Sequence, residues 1–175
     1  YTATVAYISP EWVANDAPLL LEDAPTGTGE YDFAILAISG STSNISLSTP
    51  LSFVPLATGD AAVGAPVVVG SYGAEGLSTT QVESALSPTI VPGAIEQLFT
   101  FSQTTPDVLD ISGSAAAEEG SSGGGVATLD GALAGSITTS SNSGSIASRT
   151  LSALSASYIR REYKAETGSS FTSLL

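Results

Sequence analysis

Apolar residues along this chain come in short runs at strand spacing, separated by Gly, Pro, Ser and Thr. Thr2 to Ile8 alternates polar and apolar residues and predicts a strand. Asn15 to Glu30 holds Pro18, Pro25, Gly27 and Gly29 and predicts a long loop. Tyr31 to Ile38 is an apolar run bounded by turn residues, which predicts a strand entry and a buried strand. Ser39 to Ser52 is Ser/Thr-rich and predicts a loop. Val67 to Val69 is β-branched and lies between Gly64 and Gly70, with Pro66 tolerated at its start. Further strands are predicted at Thr89–Val91, Gln97–Phe101 and Val108–Ser112. Val126–Leu129 and Ala132–Thr138 flank Asp130-Gly131, a strong hairpin signal.

The pattern changes near the end. Leu151, Leu154, Tyr158 and Ile159 recur at helical spacing, which predicts a helix over Leu151–Glu166. Arg160, Arg161 and Lys164 fall in its later turns, where cations complement the helix dipole, and Gly168 supplies a stop. Many short strands followed by one helix define an all-β class. There is no repeat of fixed period and no linker between domains. A length of 175 residues fits one domain or part of a larger one. No apolar run approaches the roughly 18 residues of a membrane span.

Charge narrows the partners. Seventeen acidic and four basic residues leave a net charge of −13. The four basic residues, Arg149, Arg160, Arg161 and Lys164, all lie late and read as a solvated helix face. Nucleic acid and anionic membrane surfaces are therefore excluded as partners, since both need a basic patch. With no cysteine and no histidine there is neither a disulfide framework nor a zinc site, and no cofactor is expected. Asp16, Glu22, Asp23 and Glu30 lack calcium-ligand spacing. Asn44-Ile45-Ser46 is a glycosylation triplet. A chain rich in Ser, Thr and Gly and poor in Lys suggests a secreted or extracytoplasmic protein. It starts at Tyr1 with no signal-peptide pattern, as a processed product or a fragment would.

One run carries chemistry. In Gly120-Ser121-Ser122-Gly123-Gly124-Gly125, Ser122 is a candidate nucleophile. A serine hydroxyl needs a neighbouring base, most often histidine, and the chain has none. Gly120 permits a tight turn that aims its N–H, with that of Ser122, at one point; two such donors make an oxyanion hole. Gly123 and Gly124 leave room for close backbone approach.

The surroundings give this run a context. The segment Gly120–Gly124 resembles the Gly-Asp-Ser-Gly-Gly nucleophile segment of the trypsin-like (chymotrypsin-fold) serine peptidases. Tyr31-Asp32-Phe33-Ala34-Ile35-Leu36 resembles the segment that supplies their triad acid, here Asp32. Pro66 to Gly73 resembles the strand and turn opening their second barrel. Gly135-Ser136-Ile137-Thr138 resembles the strand lining their substrate cleft. The resemblance implies a double β-barrel closed by a C-terminal helix. Residues 1–40 would be the end of the first barrel, 41–150 the second barrel and 151–168 the helix. It implies a serine endopeptidase with Ser122 as nucleophile and Asp32 as triad acid. The Gly120 and Ser122 N–H groups would form the oxyanion hole, and Thr138 would bind an extended peptide or protein substrate through its backbone. Ala116 falls at the base of the primary pocket, so small or apolar side chains would fit better than Lys or Arg.

Three departures qualify the resemblance. The template order is His, Asp, Ser, with the His roughly 45 residues before the Asp. Only 31 residues precede Asp32. The histidine would then lie on an N-terminal segment of the same domain, and this chain alone would be nearly inert. Ser121 replaces the acid used in zymogen activation, and the family's disulfides are absent. A truncated first barrel would leave strand edges that invite a second segment or self-association. Two alternatives remain: a protease-like binding protein without catalysis, and an acidic secreted β-rich surface protein.

Overall fold

The computed structural model describes residues 1–22, 26–41, 51–102, 104–112, 116–140, 145 and 148–174. Asp23 and the triplet Asn44-Ile45-Ser46 lie outside the described residues. The chain forms two compact units, Tyr1–Val54 and Pro55–Leu175.

In the first unit, β1 (Thr2–Ile8) pairs antiparallel with β2 (Ala34–Gly40). Between them lie helix α1 (Pro10–Asn15), for which the sequence carries no prediction before Asn15, and a 3-10 turn over Ala17–Leu21, where the sequence predicts loop. The signal for α1 is Ser9-Pro10: the Ser9 side chain caps the Trp12 N–H, and Pro10 supplies a preset φ. The run Tyr31–Ile38 needs two corrections. Its strand starts at Ala34 and extends through Ser39 and Gly40, and Leu36 and Ile38 are exposed. Within a two-stranded sheet, apolar side chains stay exposed unless another layer covers them.

The second unit is a seven-stranded antiparallel sheet in the order β4-β3-β7-β8-β9-β6-β5. Its strands are β3 (Pro66–Ser71), β4 (Thr89–Ala94), β5 (Gln97–Phe99), β6 (Val108–Ser112), β7 (Gly125–Thr128), β8 (Leu133–Ser140) and β9 (Thr150–Ser155). Pro92 is accommodated because β4 is an end strand of this sheet, paired with β3. The two end strands of this order, β4 and β5, are consecutive in the chain and separated by Ile95 and Glu96 alone. The sheet therefore curls until its ends meet. Ile95 N–H donates to Ala65 O (3.0 Å) on one side and Glu96 N–H to Asp110 O (2.8 Å) on the other. Inside the curl, Val67, Val69, Ile95, Leu109, Ile111, Val126, Ile137 and Leu151 form one buried core. Each such side chain contributes about 1.5–3 kcal/mol relative to exposure.

The hairpin is found as expected. Leu129-Asp130-Gly131 closes β7 onto β8, with Gly131 at φ 86° and Gly131 N–H donating to Thr128 O (3.0 Å). Helix α2 (Thr79–Ala85) has no counterpart among the predicted elements, although Ser78 and Gln81 form a reciprocal capping box that marks its start.

The terminal helix is shorter than its periodicity predicts. Leu151–Ser155 belongs to β9, and α3 spans Ala156–Thr167, capped by Ser155 and ended by Gly168 at φ 71°. Leu151 and Leu154 have helical spacing, yet pairing with β6 and β8 on both sides outweighs local preference. The basic residues also differ from the expected solvated face, and only Lys164 is exposed. Arg160 donates to Thr58 O at 3.3 Å. Arg161 donates to Asp107 Oδ1 at 2.7 Å and lies over the Tyr158 ring at 5.2 Å.

Asp107 fastens α3 to the sheet. Its buried carboxylate accepts from Phe101 N–H (2.7 Å), Ser102 N–H (3.3 Å), Thr100 and Thr105 hydroxyls (3.1 and 2.8 Å) and Arg161. Burial pushes its pKa up, but hydrogen bonds from Arg161, Thr105, Phe101 and Ser102 together hold it below the usual carboxylate value. Asp107→Ala is expected to cost about 3 kcal/mol in urea unfolding, because it strands those donors. With its folded pKa depressed, the Asp107 contribution is complete above its unfolded value near pH 3.9 and fades as pH falls toward the folded one. Asp107→Asn should flatten the acid limb of a stability–pH curve below about pH 4.

Candidate active site

Gly120 and Ser122 sit on the turn that leads into β7. Gly120 has φ +90° and Gly123 φ +84°, backbone that glycine adopts without strain. The turn is internally bonded: Ser121 N–H donates to Glu118 O (3.1 Å) and Gly124 N–H to Ser121 O (3.0 Å). Against β8, Gly123 N–H donates to Ile137 O and Ile137 N–H to Gly124 O, both at 2.8 Å. A Cβ on Gly124 would lie 2.6 Å from Gly70 O and 2.9 Å from Ser121 O, so only glycine lets β3 and the turn approach this closely. Ser121 is buried beneath the turn.

The Ser122 hydroxyl points outward and donates to Thr138 O at 2.9 Å. Among the described residues, neither the Gly120 nor the Ser122 N–H has a hydrogen-bond partner. Both amides are therefore free to take a developing negative charge. The surrounding cleft, roughly 230 Å³, is lined by Glu118, Glu119, Gly120, Ser121, Ser122, Thr138, Thr139 and Ser140. Gly120, Ser122 and Thr138 are thus brought together. Ala116 and Ala117 are buried at the start of the same segment.

Asp32 belongs to the first unit. Tyr31 holds the left-handed conformation at φ 61°, and Phe33 N–H donates to Tyr31 O (2.7 Å) across Asp32. A tight turn before β2 thus presents the carboxylate. It lines a hollow with Trp12 and Asp16. Loss of solvation pushes its pKa up, as does the Asp16 carboxylate, while a side-chain hydrogen bond from Trp12 opposes both.

Arg149, expected on a solvated helix face, instead lies before β9 and pairs with Glu75. Arg149 forms a bidentate pair with Glu75, Nη2 to Oε1 at 2.9 Å, and Nη1 donates to Ala117 O at 3.2 Å. The Arg149 side chain is 12% exposed. A lone arginine and a lone glutamate 74 positions apart carry no local signal for this pairing. Among the described residues, no three His, Cys, Asp or Glu side chains cluster as metal ligands, and no helix is long and apolar enough to cross a membrane.

Comparison with known proteins supplies kinship. A family model described as Trypsin matches residues 9–160. No curated protein matches the chain. Solved structures of Rv3671c from M. tuberculosis share the fold. An inactive form carrying a serine-to-alanine mutation aligns with TM-score 0.51 and 22% identity, over 77% of this chain and 58% of that one. A second inactive form of the Rv3671c protease aligns with TM-score 0.51 and 23% identity, over 78% and 61%. Its active form gives 0.50 and 23%, over 78% and 54%. The chain spans less than two thirds of each of these structures, and the expected chymotrypsin-like architecture is the one it adopts.

The glycines of the turn are directly testable. Gly124→Ala is expected to lower Tm by about 5 °C or more in calorimetry, at roughly 2–4 °C per kcal/mol for a domain of this size. The added Cβ must push β3 from the turn.

Proposed function

The chain belongs to the Trypsin family, and from that premise we propose that it carries the nucleophile and oxyanion site of a serine endopeptidase. One observation supports this most: Ser122 stands on a glycine-shaped turn with its own and the Gly120 N–H unpartnered among the described residues. The Ser122 Oγ attacks the scissile carbonyl of a peptide or protein substrate. The two amides hold the resulting oxyanion. A histidine, which this chain does not contain, takes the Ser122 proton and returns it to the leaving amine, and Asp32 orients that histidine. Water then hydrolyses the acyl-enzyme. The Thr138 backbone pairs with the extended substrate, and Ala116 makes the primary pocket uncharged at its base. An N-terminal segment of the domain supplies the histidine, and the protein works outside the cytoplasm.

A second reading has its own support. The chain lacks histidine, and the Ser122 proton rests on a backbone carbonyl, which cannot accept it as a base. A peptide-binding protein without catalysis would show the same features.

Fluorophosphonate labelling of the full-length protein separates the two. The peptidase reading expects labelling that Ser122→Ala abolishes, with kcat falling about a millionfold. An intact, histidine-containing protein that takes no label overturns catalysis and leaves the binder.

A further inference from the structure

The turn Glu118–Ser122 has no buried charge of its own to hold it. Ser121 is its buried member, and Ala116 and Ala117 are buried just before it. Its fastening comes from elsewhere in the second unit. Ala74 N–H donates to Glu119 O at 2.8 Å. A Cβ on Gly120 would meet Tyr72 O and Ala74 Cβ at 3.2 Å, and one on Gly73 would meet Glu118 Cβ at 2.9 Å. The segment Tyr72–Ala74 therefore lies flat against Glu118–Gly120. Its next residue is Glu75, whose carboxylate is gripped by both terminal nitrogens of Arg149. The same guanidinium reaches Ala117 O. One cation thus ties the backbone just before the turn to the segment packed on it.

We propose that the Glu75–Arg149 pair is the lock that sets the Glu118–Ser122 turn, with both members acting as positioning residues. Its catalytic meaning rests on the peptidase reading; its structural meaning does not. Arg149 also stands within the field of Glu118 and Glu119. It therefore offsets part of the charge of three carboxylates, and its loss leaves all three without that cation. Loss of Glu75 leaves two carboxylates and one cation. The lock consequently has an unequal signature: removing the arginine frees the turn more than removing the glutamate. A lysine cannot hold a two-pronged carboxylate contact and a carbonyl together, so Arg149→Lys falls between them.

The test uses the full-length protein with Glu75→Gln, Arg149→Lys and Arg149→Met, all checked for a cooperative thermal transition. Hydrogen exchange is read on a peptide covering Ala116–Ser122 and on one covering β6, and fluorophosphonate labelling is timed on the same samples. The expected result is exchange at Ala116–Ser122 at least tenfold faster in Arg149→Met and less so in Glu75→Gln, with β6 unchanged. Labelling should slow in the same order, with KM for a peptide ester shifted less than kcat. Unchanged exchange at Ala116–Ser122 in folded Arg149→Met or Arg149→Lys overturns the lock, as does equal acceleration at β6. Faster exchange in a protein whose wild type takes no label upholds the lock and overturns the peptidase reading instead.

Discussion

Two residues close the second unit. Ile95 bonds back to the β3 side of the sheet and Glu96 forward to the β6 side, so the chain steps from one end strand to the other in a single peptide. A flat sheet of seven strands cannot have its ends joined by so short a corner. Curling is obligatory, and it gives the inward faces of β3, β6, β7, β8 and β9 a common core. Ile95 itself is buried in that core, so the corner contributes packing as well as connection.

The candidate site follows from this curl. With β7 and β8 held on the sheet, the turn before β7 is pressed between Gly70 O on one side and Ile137 on the other. That leaves space for glycine alone and aims the Ser122 hydroxyl outward, toward Thr138. The remaining freedom lies at the other end of the turn, around Glu118 and Glu119. There the contacts come from Tyr72–Glu75 and Arg149, which sit at the ends of β3 and at the start of β9. Distant parts of the chain converge because the sheet brings β3 and β9 to flank the β7–β8 pair. At the other end of the β6–β9 pair, Asp107 and Arg161 do similar work for α3, again joining positions far apart in sequence.

Much of this was legible locally. β1 lies where alternation predicts it, β6 matches the strand predicted at Val108–Ser112, and the Asp130-Gly131 hairpin closes as its dipeptide signals. Ser9 and Ser78 announce their helices through capping chemistry, a local signal present in the sequence. Leu151–Ser155 shows the opposite case. Its helical spacing is real, but a strand hydrogen-bonded on both sides gains more than a helix turn would. Tyr31–Phe33 is apolar enough for a strand, yet it forms the tight turn before β2, with Tyr31 left-handed.

By itself the sequence determined the class of fold, the turn residues and the glycine-flanked serine, because these depend on period, φ and residue type over a few positions. It also determined that this chain brings no imidazole to the Ser122 hydroxyl. Only the tertiary structure decided that Arg149 pairs with Glu75 and Ala117, and that Arg161 serves a buried carboxylate. It also decided where β9 ends and α3 begins. Those outcomes depend on which distant groups the curled sheet places within hydrogen-bond reach, and charge contacts between residues tens of positions apart leave no periodic trace in a chain.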